Sequence, residues 1–496
     1  MQVLYTDTIA AIATARGQAA LAIVRVSGPE AVRIVDARFS KRLGNADSHT
    51  AHVGYILDAD GADNEARRLD QVVVTLFRAP RSATGEDVVE VTCHGGDVAP
   101  ALVLRSLLDA GARLAEPGEF TQRAFLNGKL DLAQAEAVAD LIHAQSHLAH
   151  RVSLHQLQGH TSVALQQIRQ ELIQTKALIE LELDFVEEDV EFADRDELRR
   201  LLGEAARLLG DLLDTARLGA YVRDGVRVVI GGRPNAGKST LLNALVERDR
   251  AIVSPVAGTT RDEIEAEREI GGLRFRFVDT AGLRETADLI EAEGVRRTHR
   301  SIDAADVLVY VYDATTGMDE EETAFLDTLA AGRPRLPVLR VANKADLLAS
   351  AAPPASLPVK GREAVPLTHE GDSSEERPKG DDAGTEGVVL LLLSAEHATT
   401  DPSRLDALRT ALLNAVADDL SEADSSPVVV NERHRQHLAA ALRAVQAAQR
   451  ALDLGISGDT LSLDLREALH ELGAITGEIT SDDVLGAIFS QFCIGK

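Results

Sequence analysis

Short apolar runs of strand character recur at residues 20–26, 72–77 and 88–93, separated by turn-forming clusters and by one helical stretch after Gly96. This alternation predicts a small α/β domain over 1–127. From 130 to 218 the pattern changes to long Pro-free segments with apolar residues three and four apart, as at Leu165, Ile168, Leu172 and Ile173, which predicts the helices of a bundle. Five further apolar runs, at 226–230, 273–278, 307–312, 338–341 and 388–393, are spaced by helical stretches. That is the alternation of a doubly wound, mostly parallel sheet. Helical spacing resumes at 434–452, 461–472 and 483–489, so helices flank the α/β unit on both sides. Insertion of one domain into another is the economical arrangement, because domain termini commonly lie close together.

The reading is therefore multidomain, α/β plus α: an N-terminal α/β domain (1–127), a discontinuous helical domain (128–220 and 425–496) and an inserted doubly wound domain (221–424). Within the insert, 349–387 holds Pro, Ser, Gly and many charges with few large apolar side chains. Such a composition cannot offset the entropy of ordering and reads as a disordered insertion. A chain of 496 residues is in any case too long for one core.

Composition narrows the partners. A formal net charge of -27 excludes a broad basic grip on nucleic acid, so any RNA contact must be local or shared with a second protein. The chain has 8 Lys against 44 Arg, and its acidity reads as a surface suited to a salty or otherwise demanding solvent. Cys93 and Cys493 stand far apart without a CxxC spacing, which points away from a disulfide framework and a zinc site. A cytoplasmic protein is expected, with neither a secretion signal nor a spanning segment.

The chemistry begins where the run 226–230 enters GRPNAGKST at 232–240. A strand, a glycine-bearing loop and a helix in that order form a P-loop. Amides of Asn235, Ala236, Gly237, Lys238, Ser239 and Thr240 can cradle phosphates, Lys238 supplies a point charge and Ser239 a hydroxyl for Mg²⁺. The insert is thus a P-loop G domain. Asn343, Lys344 and Asp346 follow a strand, and the Asp346 carboxylate suits the N1 and exocyclic amine hydrogens of guanine, a donor pair that adenine lacks. Ser394-Ala395 ends the next strand and can add a backbone donor to the guanine oxygen. Asp279, Thr280, Ala281 and Gly282 supply a carboxylate behind the Mg²⁺ shell and a γ-phosphate sensor, and Gly258, Thr259 and Thr260 the switch loop, with Thr260 on Mg²⁺. Leu283 occupies the place where small signalling GTPases carry a water-orienting Gln, so another group must place the water.

These motifs, together with TGEDVVE at 84–90, PGEFTQRAFLNGKLDLAQ at 117–134 and TSDDVLGAIFSQFCIGK at 480–496, make the chain similar to the MnmE (TrmE) family of tRNA-modification GTPases. The resemblance implies a cytoplasmic homodimer that works with an FAD-dependent partner to place an aminomethyl-type group at C5 of the tRNA wobble uridine. It also implies a one-carbon folate, such as 5-formyl-tetrahydrofolate, on a folate-binding-like N-terminal domain, at Arg25, Glu90, Lys129 and Lys496. K⁺-assisted G-domain dimerisation would use Asn235, Ser254, Val256 and Thr259, within a nucleotide loop that includes Pro255 and Ala257. Glu291 matches the glutamate that positions the hydrolytic water. Ser254-Pro255 departs from the usual Thr with a non-Pro follower.

Residue types support part of this without the resemblance: Lys129, Lys238, Lys344 and Lys496 are half of the lysines in a chain that otherwise prefers arginine. Cys493 could act as a thiol nucleophile, although a buried small hydrophobe is the blander reading. His94, before two glycines, reads as a turn residue. A GTP-gated scaffold without one-carbon chemistry would carry the same G motifs, and folate binding separates the two.

Overall fold

The computed structural model describes residues 6–59, 68–184, 195–246, 265–279, 301–350, 388–417, 427–456 and 458–496. They form two compact units, one of Met1–His143, Arg151–Asp214 and Asn431–Lys496, the other of Ala144–His150 and Thr215–Val430.

The first unit opens with β1 (Ile9–Ile12), β2 (Leu21–Ser27), α1 (Ala31–Arg38), β3 (Thr50–Leu57), β4 (Arg68–Phe77), β5 (Val88–His94), α2 (Ala99–Asp109) and the short β6 (Arg113–Leu114). The sheet runs β3-β4-β5-β2-β1-β6, antiparallel except where β6 joins β1. Side chains alternate across each strand. Ala22, Val24 and Val26 of β2 and Val89, Val91 and Cys93 of β5 enter a core with Ile34, Val35, Val103 and Leu107 of the two helices. Arg25 and Glu90, paired in register, point to the other face. His94 is the last residue of β5 rather than part of a turn, and its Nδ1 meets Asp70 Oδ1 at 2.6 Å.

Helices follow: α3 (Glu119–Leu126), α4 (Leu132–His143), α5 (His147–Leu157), α6 (His160–Asp184) and α7 (Arg195–Asp214). The stripe on α6 buries Leu165, Ile168, Leu172 and Ile179. Ile173, one step round the helix from Leu172, is exposed, which corrects its place in the predicted stripe.

In the second unit, α8 (Ala216–Asp224) precedes β7 (Val226–Gly231), α9 (Lys238–Val246), β8 (Glu265–Ile270), β9 (Leu273–Asp279), β10 (Val307–Asp313), α10 (Glu320–Gly332), β11 (Val338–Asn343), β12 (Val388–Leu392), α11 (Ala395–Thr400) and α12 (Asp406–Asn414). The order is β12-β11-β10-β7-β9-β8, with β8 antiparallel at the edge and every other pair parallel. β7 and β10 are buried along nearly their whole length, as strands covered on both faces must be. β8 was not predicted because its sequence EAEREI is mostly charged. Its register sets Glu267 opposite Arg276, and Glu267 pairs with both Arg276 (3.6 Å) and Arg274 (3.7 Å), opposite charges that suit an edge strand resisting further pairing.

The chain then returns to the first unit as α13 (Glu432–Asp453), α14 (Gly458–Thr476) and α15 (Asp482–Phe489). Leu438, Ala441, Val445 and Leu452 of α13 and Leu461, Leu465 and Leu472 of α14 close a bundle with α6 and α7. A buried triad pins the bundle: Glu136 of α4 accepts from Arg433 (2.7 Å) and pairs with His434 Nε2 (2.6 Å), while Arg433 also donates to the carbonyls of Ala474 and Ile475. The last residues turn back onto the N-terminal sheet. Ile494 bridges Pro117, the Phe120 amide donates to the Lys496 carbonyl (3.2 Å), and Gly495 at φ 98° lies so close to Ile12 that an added Cβ would sit 2.3 Å from its carbonyl oxygen.

Candidate nucleotide and cofactor sites

The phosphate loop leaves the carboxyl end of β7, the position where open α/β sheets hold ligands. Asn235 adopts φ 64°, and Gly237 at φ 93° comes so close to Asn343 that a Cβ would lie 2.1 Å from its Nδ2. Lys238 folds back over the loop, and its Nζ donates to the carbonyls of Gly232 (2.9 Å) and Arg233 (2.7 Å). Ser239 and Thr240 stand next, in the first turn of α9. Asp279, the last residue of β9, is paired in register with Ile230 just before the loop.

Asn343 joins the two halves of the site. Its Nδ2 donates to the carbonyl of Ala236 in the phosphate loop (2.9 Å), and its Oδ1 accepts from the amide of Ala395 (2.8 Å). That amide, expected to face the guanine oxygen, is thus engaged by Asn343. Lys344 holds a left-handed φ of 63° and donates to Asp313 Oδ2 (2.7 Å). Asp313 is itself anchored by the amide and hydroxyl of Thr315 (2.8 and 2.6 Å). The Ser394 hydroxyl donates to Asp346 and holds its carboxyl below the usual range, so it stays an anion able to accept two guanine hydrogens. Loop and base-facing residues thus form one strip along the ends of β7, β10, β11 and β12. Ser254, Pro255, Val256, Ala257, Gly258, Thr259, Thr260, Thr280, Ala281, Gly282 and Glu291 lie outside the described residues.

In the first unit Arg25 donates through Nε and Nη2 to Glu90 Oε1 (3.0 and 2.8 Å), and its guanidinium stacks over the Phe120 ring, 5.7 Å from the centroid. The Phe120 amide also holds the Lys496 backbone, so buried Phe120 links the Arg25–Glu90 pair to the carboxyl-terminal segment. Lys129 sits at the far end of α3, where its Nζ donates to the Pro80 carbonyl (3.2 Å) and its stem lies against Gly85. Cys493 is exposed, which overturns the buried-hydrophobe reading, whereas Cys93 is buried and its thiol is pushed up to about 11 by burial first and by Asp70 second.

Several supporting residues were missed from sequence. Arg123 is fully buried and donates to Asp7 Oδ1 (2.8 Å), Glu119 Oε1 (2.9 Å) and Glu86 (3.3 Å), while Glu86 also accepts from Ser27 (2.7 Å). Arg113 joins the same cluster through Asp7 and Glu119. Burial alone would raise the Asp7 and Glu119 carboxyls, but the two arginines hold both below the usual range. Glu86, Glu119 and Arg123 lie inside the quoted motif blocks, but no local spacing marks a charge there as buried. Asp319 and Glu322 form a capping box, which the spacing D-x-x-E could have shown.

Two family profiles match the chain: "GTP-binding protein TrmE N-terminus" over residues 8–129 and "MnmE helical domain" over residues 132–493. The tRNA modification GTPase MnmE of Salinibacter ruber is 59% identical over 492 residues, covering 99% of each chain. Proteins of the same description from Christiangramia forsetii and Cytophaga hutchinsonii are each 42% identical, over 499 and 493 residues, covering 99% of this chain and 99% and 98% of theirs.

Proposed function

The chain belongs to the MnmE family of tRNA modification GTPases, and from that premise we propose that it couples GTP hydrolysis to a folate- and FAD-partner-dependent addition of an aminomethyl-type group at C5 of the tRNA wobble uridine. The protein acts in the cytoplasm as a homodimer, with the FAD carried by the partner protein. The domains divide at 1–127, 128–220 with 425–496, and 221–424.

At the G site, the phosphate-loop amides from Asn235 to Thr240 bind the phosphates, Lys238 sits at the outer two, and Asp346 takes the guanine edge, with Asn343, Lys344, Ser394 and Ala395 building the base side of the site. Ser239 and Thr260 would ligate Mg²⁺ with Asp279 behind them, and the pairing of Asp279 beside the phosphate loop supports that set. Bound there, Mg²⁺ neutralises charge on the β- and γ-phosphate oxygens. Asn235, Ser254, Val256 and Thr259 would hold K⁺ through oxygen dipoles, Glu291 positions the attacking water, and the switch residues Thr280, Ala281 and Gly282 follow the γ-phosphate.

The observation that carries the one-carbon half is the docking of the carboxyl terminus at Phe120, beside the Arg25–Glu90 pair. A carboxylate for the amino-pyrimidine edge and cations for the glutamyl tail are what such a folate requires, so the residues present fit the group. Glu90 would take the amino-pyrimidine edge, and Arg25, Lys129 and Lys496 the acidic tail. Exposed Cys493 is kept as a thiol available to the substrate uridine. Deleting Lys496 should weaken binding of 5-formyl-tetrahydrofolate, measured by calorimetry, while GTP affinity stays at the wild-type value. Equal folate affinity would remove the carboxyl terminus from the site.

A further inference from the structure

Arg233 is the second residue of the phosphate loop, and its two ends do different things. Its carbonyl accepts from Lys238 Nζ (2.7 Å), beside that of Gly232. Its side chain runs away from the loop to the start of α10, where it pairs with Asp319 and with Glu322 Oε1 (3.3 Å). Both carboxylates are fixed before Arg233 reaches them. Asp319 caps the helix by accepting from the Glu322 amide (2.8 Å), and Glu322 Oε2 accepts from the Asp319 amide (3.0 Å). Glu322 Oε1 accepts from the hydroxyl of Tyr310 on the central strand (2.9 Å), and the Glu322 side chain is only 6% exposed.

We propose that Arg233 is a positioning residue for GTP hydrolysis, which fixes the peptide that holds Lys238 by anchoring it to Asp319 and Glu322. The inference rests on the GTPase reading above. An ammonium that works as a point charge on the outer phosphates must be placed closely, since a misplacement near 1 Å can cost about 10²-fold in rate. The chain places it with two loop carbonyls, one of which belongs to the residue clamped from outside. The clamp also separates function from stability. The Arg233 and Asp319 side chains are 48% and 41% exposed, and ion pairs so exposed add little to folding. Glu322 keeps its Tyr310 and Asp319 partners when Arg233 is lost.

The test measures GTP turnover and thermal unfolding of the full chain for the wild type, Arg233→Gln, Arg233→Lys, Asp319→Asn and Arg233→Gln with Asp319→Asn. Asn caps a helix about as well as Asp, so Asp319→Asn removes charge and keeps the cap. Wild-type turnover tests the GTPase reading by itself. With it in hand, Arg233→Gln should lower kcat/KM by about ten-fold or more with a nearly unchanged melting temperature. Arg233→Lys should recover part of the loss. The double variant should be no worse than Arg233→Gln, because both changes break one contact. Wild-type turnover in Arg233→Gln, or losses that multiply in the double variant, would overturn the proposal. Should Arg233→Gln melt early, Arg233→Lys and Asp319→Asn carry the same decision, and undiminished turnover in both overturns it.

Discussion

The two candidate sites are built from opposite materials. In the second unit the nucleotide strip is mostly backbone: loop carbonyls hold Lys238, Asn343 bonds a carbonyl on one side and an amide on the other, and the loops leave adjacent parallel strands. In the first unit the contacts are made by side chains from distant segments: Arg123 gathers Asp7, Glu86 and Glu119, and on the same helix Phe120 lies under Arg25, which pairs with Glu90. A backbone-built site tolerates variation around a few fixed positions. A side-chain cluster fails as a whole when its central cation is lost.

The largest effect is therefore expected at Arg123. Arg123→Met keeps the volume and removes the fully buried charge, leaving Asp7 and Glu119 to Arg113 and Glu86 to the Ser27 hydroxyl. Breaking a buried pair by removing one partner costs about 3–5 kcal/mol. Urea unfolding followed by circular dichroism should show the first unit losing roughly that much, and an unchanged midpoint would mean that the cluster is not held together by its arginine.

Next comes the Glu136 triad, a second buried charge cluster among the described residues of the first unit. Burial opposes ionisation of Glu136, but His434 and Arg433 outweigh it and bring its pKa from the ordinary 4.5 down to about 2. A carboxyl whose folded value lies below its unfolded value stabilises the fold above the unfolded value, and that contribution disappears as pH falls through the folded one. The shift corresponds to roughly 3 kcal/mol at neutral pH. Wild-type stability should drop between about pH 4.5 and 2, and the gap to Glu136→Gln should close over the same window. A gap that stays constant with pH would assign the loss to packing instead of charge.

The same contrast decides what could be read from the sequence. Within the P-loop and within each base-recognition motif the residues lie a few positions apart at a strand end, so their spacing carries the local geometry, and the parallel sheet was legible from its apolar runs. Strand β8 was missed because its side-chain contacts to β9 are charged, with Arg274 and Arg276 both pairing with Glu267, a cross-strand property with no local apolar signal. β3 was missed because His52 and Gly54 interrupt its alternation. Arg233 was visible in the phosphate loop, but its partners Asp319 and Glu322 stand beyond three strands, and only the fold brings them together. Arg25, Glu90 and Lys496 were named through family resemblance. Phe120, which joins them, was not singled out, because an aromatic residue on a short helix reads as core.

The smallest effect, and the sharpest for the second unit, is expected at Asp346. Ser394 donates to its carboxylate and holds it below the usual range, so the group is an anion. Asp346→Asn preserves the shape and the contact to Ser394 but replaces one acceptor by a donor aimed at the guanine edge. Hydrogen bonds to a charged group carry enough energy that GTP affinity should fall by about ten- to a hundred-fold, while ATP, which lacks the donor pair, binds as weakly as before. Melting temperature should be unchanged, in contrast to Arg123→Met. Competition between GTP and ATP for a fluorescent GDP analogue reads the outcome directly. Retained preference for GTP would mean that the base is chosen by the Asn343–Ala395 backbone strip alone, and the second unit would then be more completely backbone-built than the carboxylate implies.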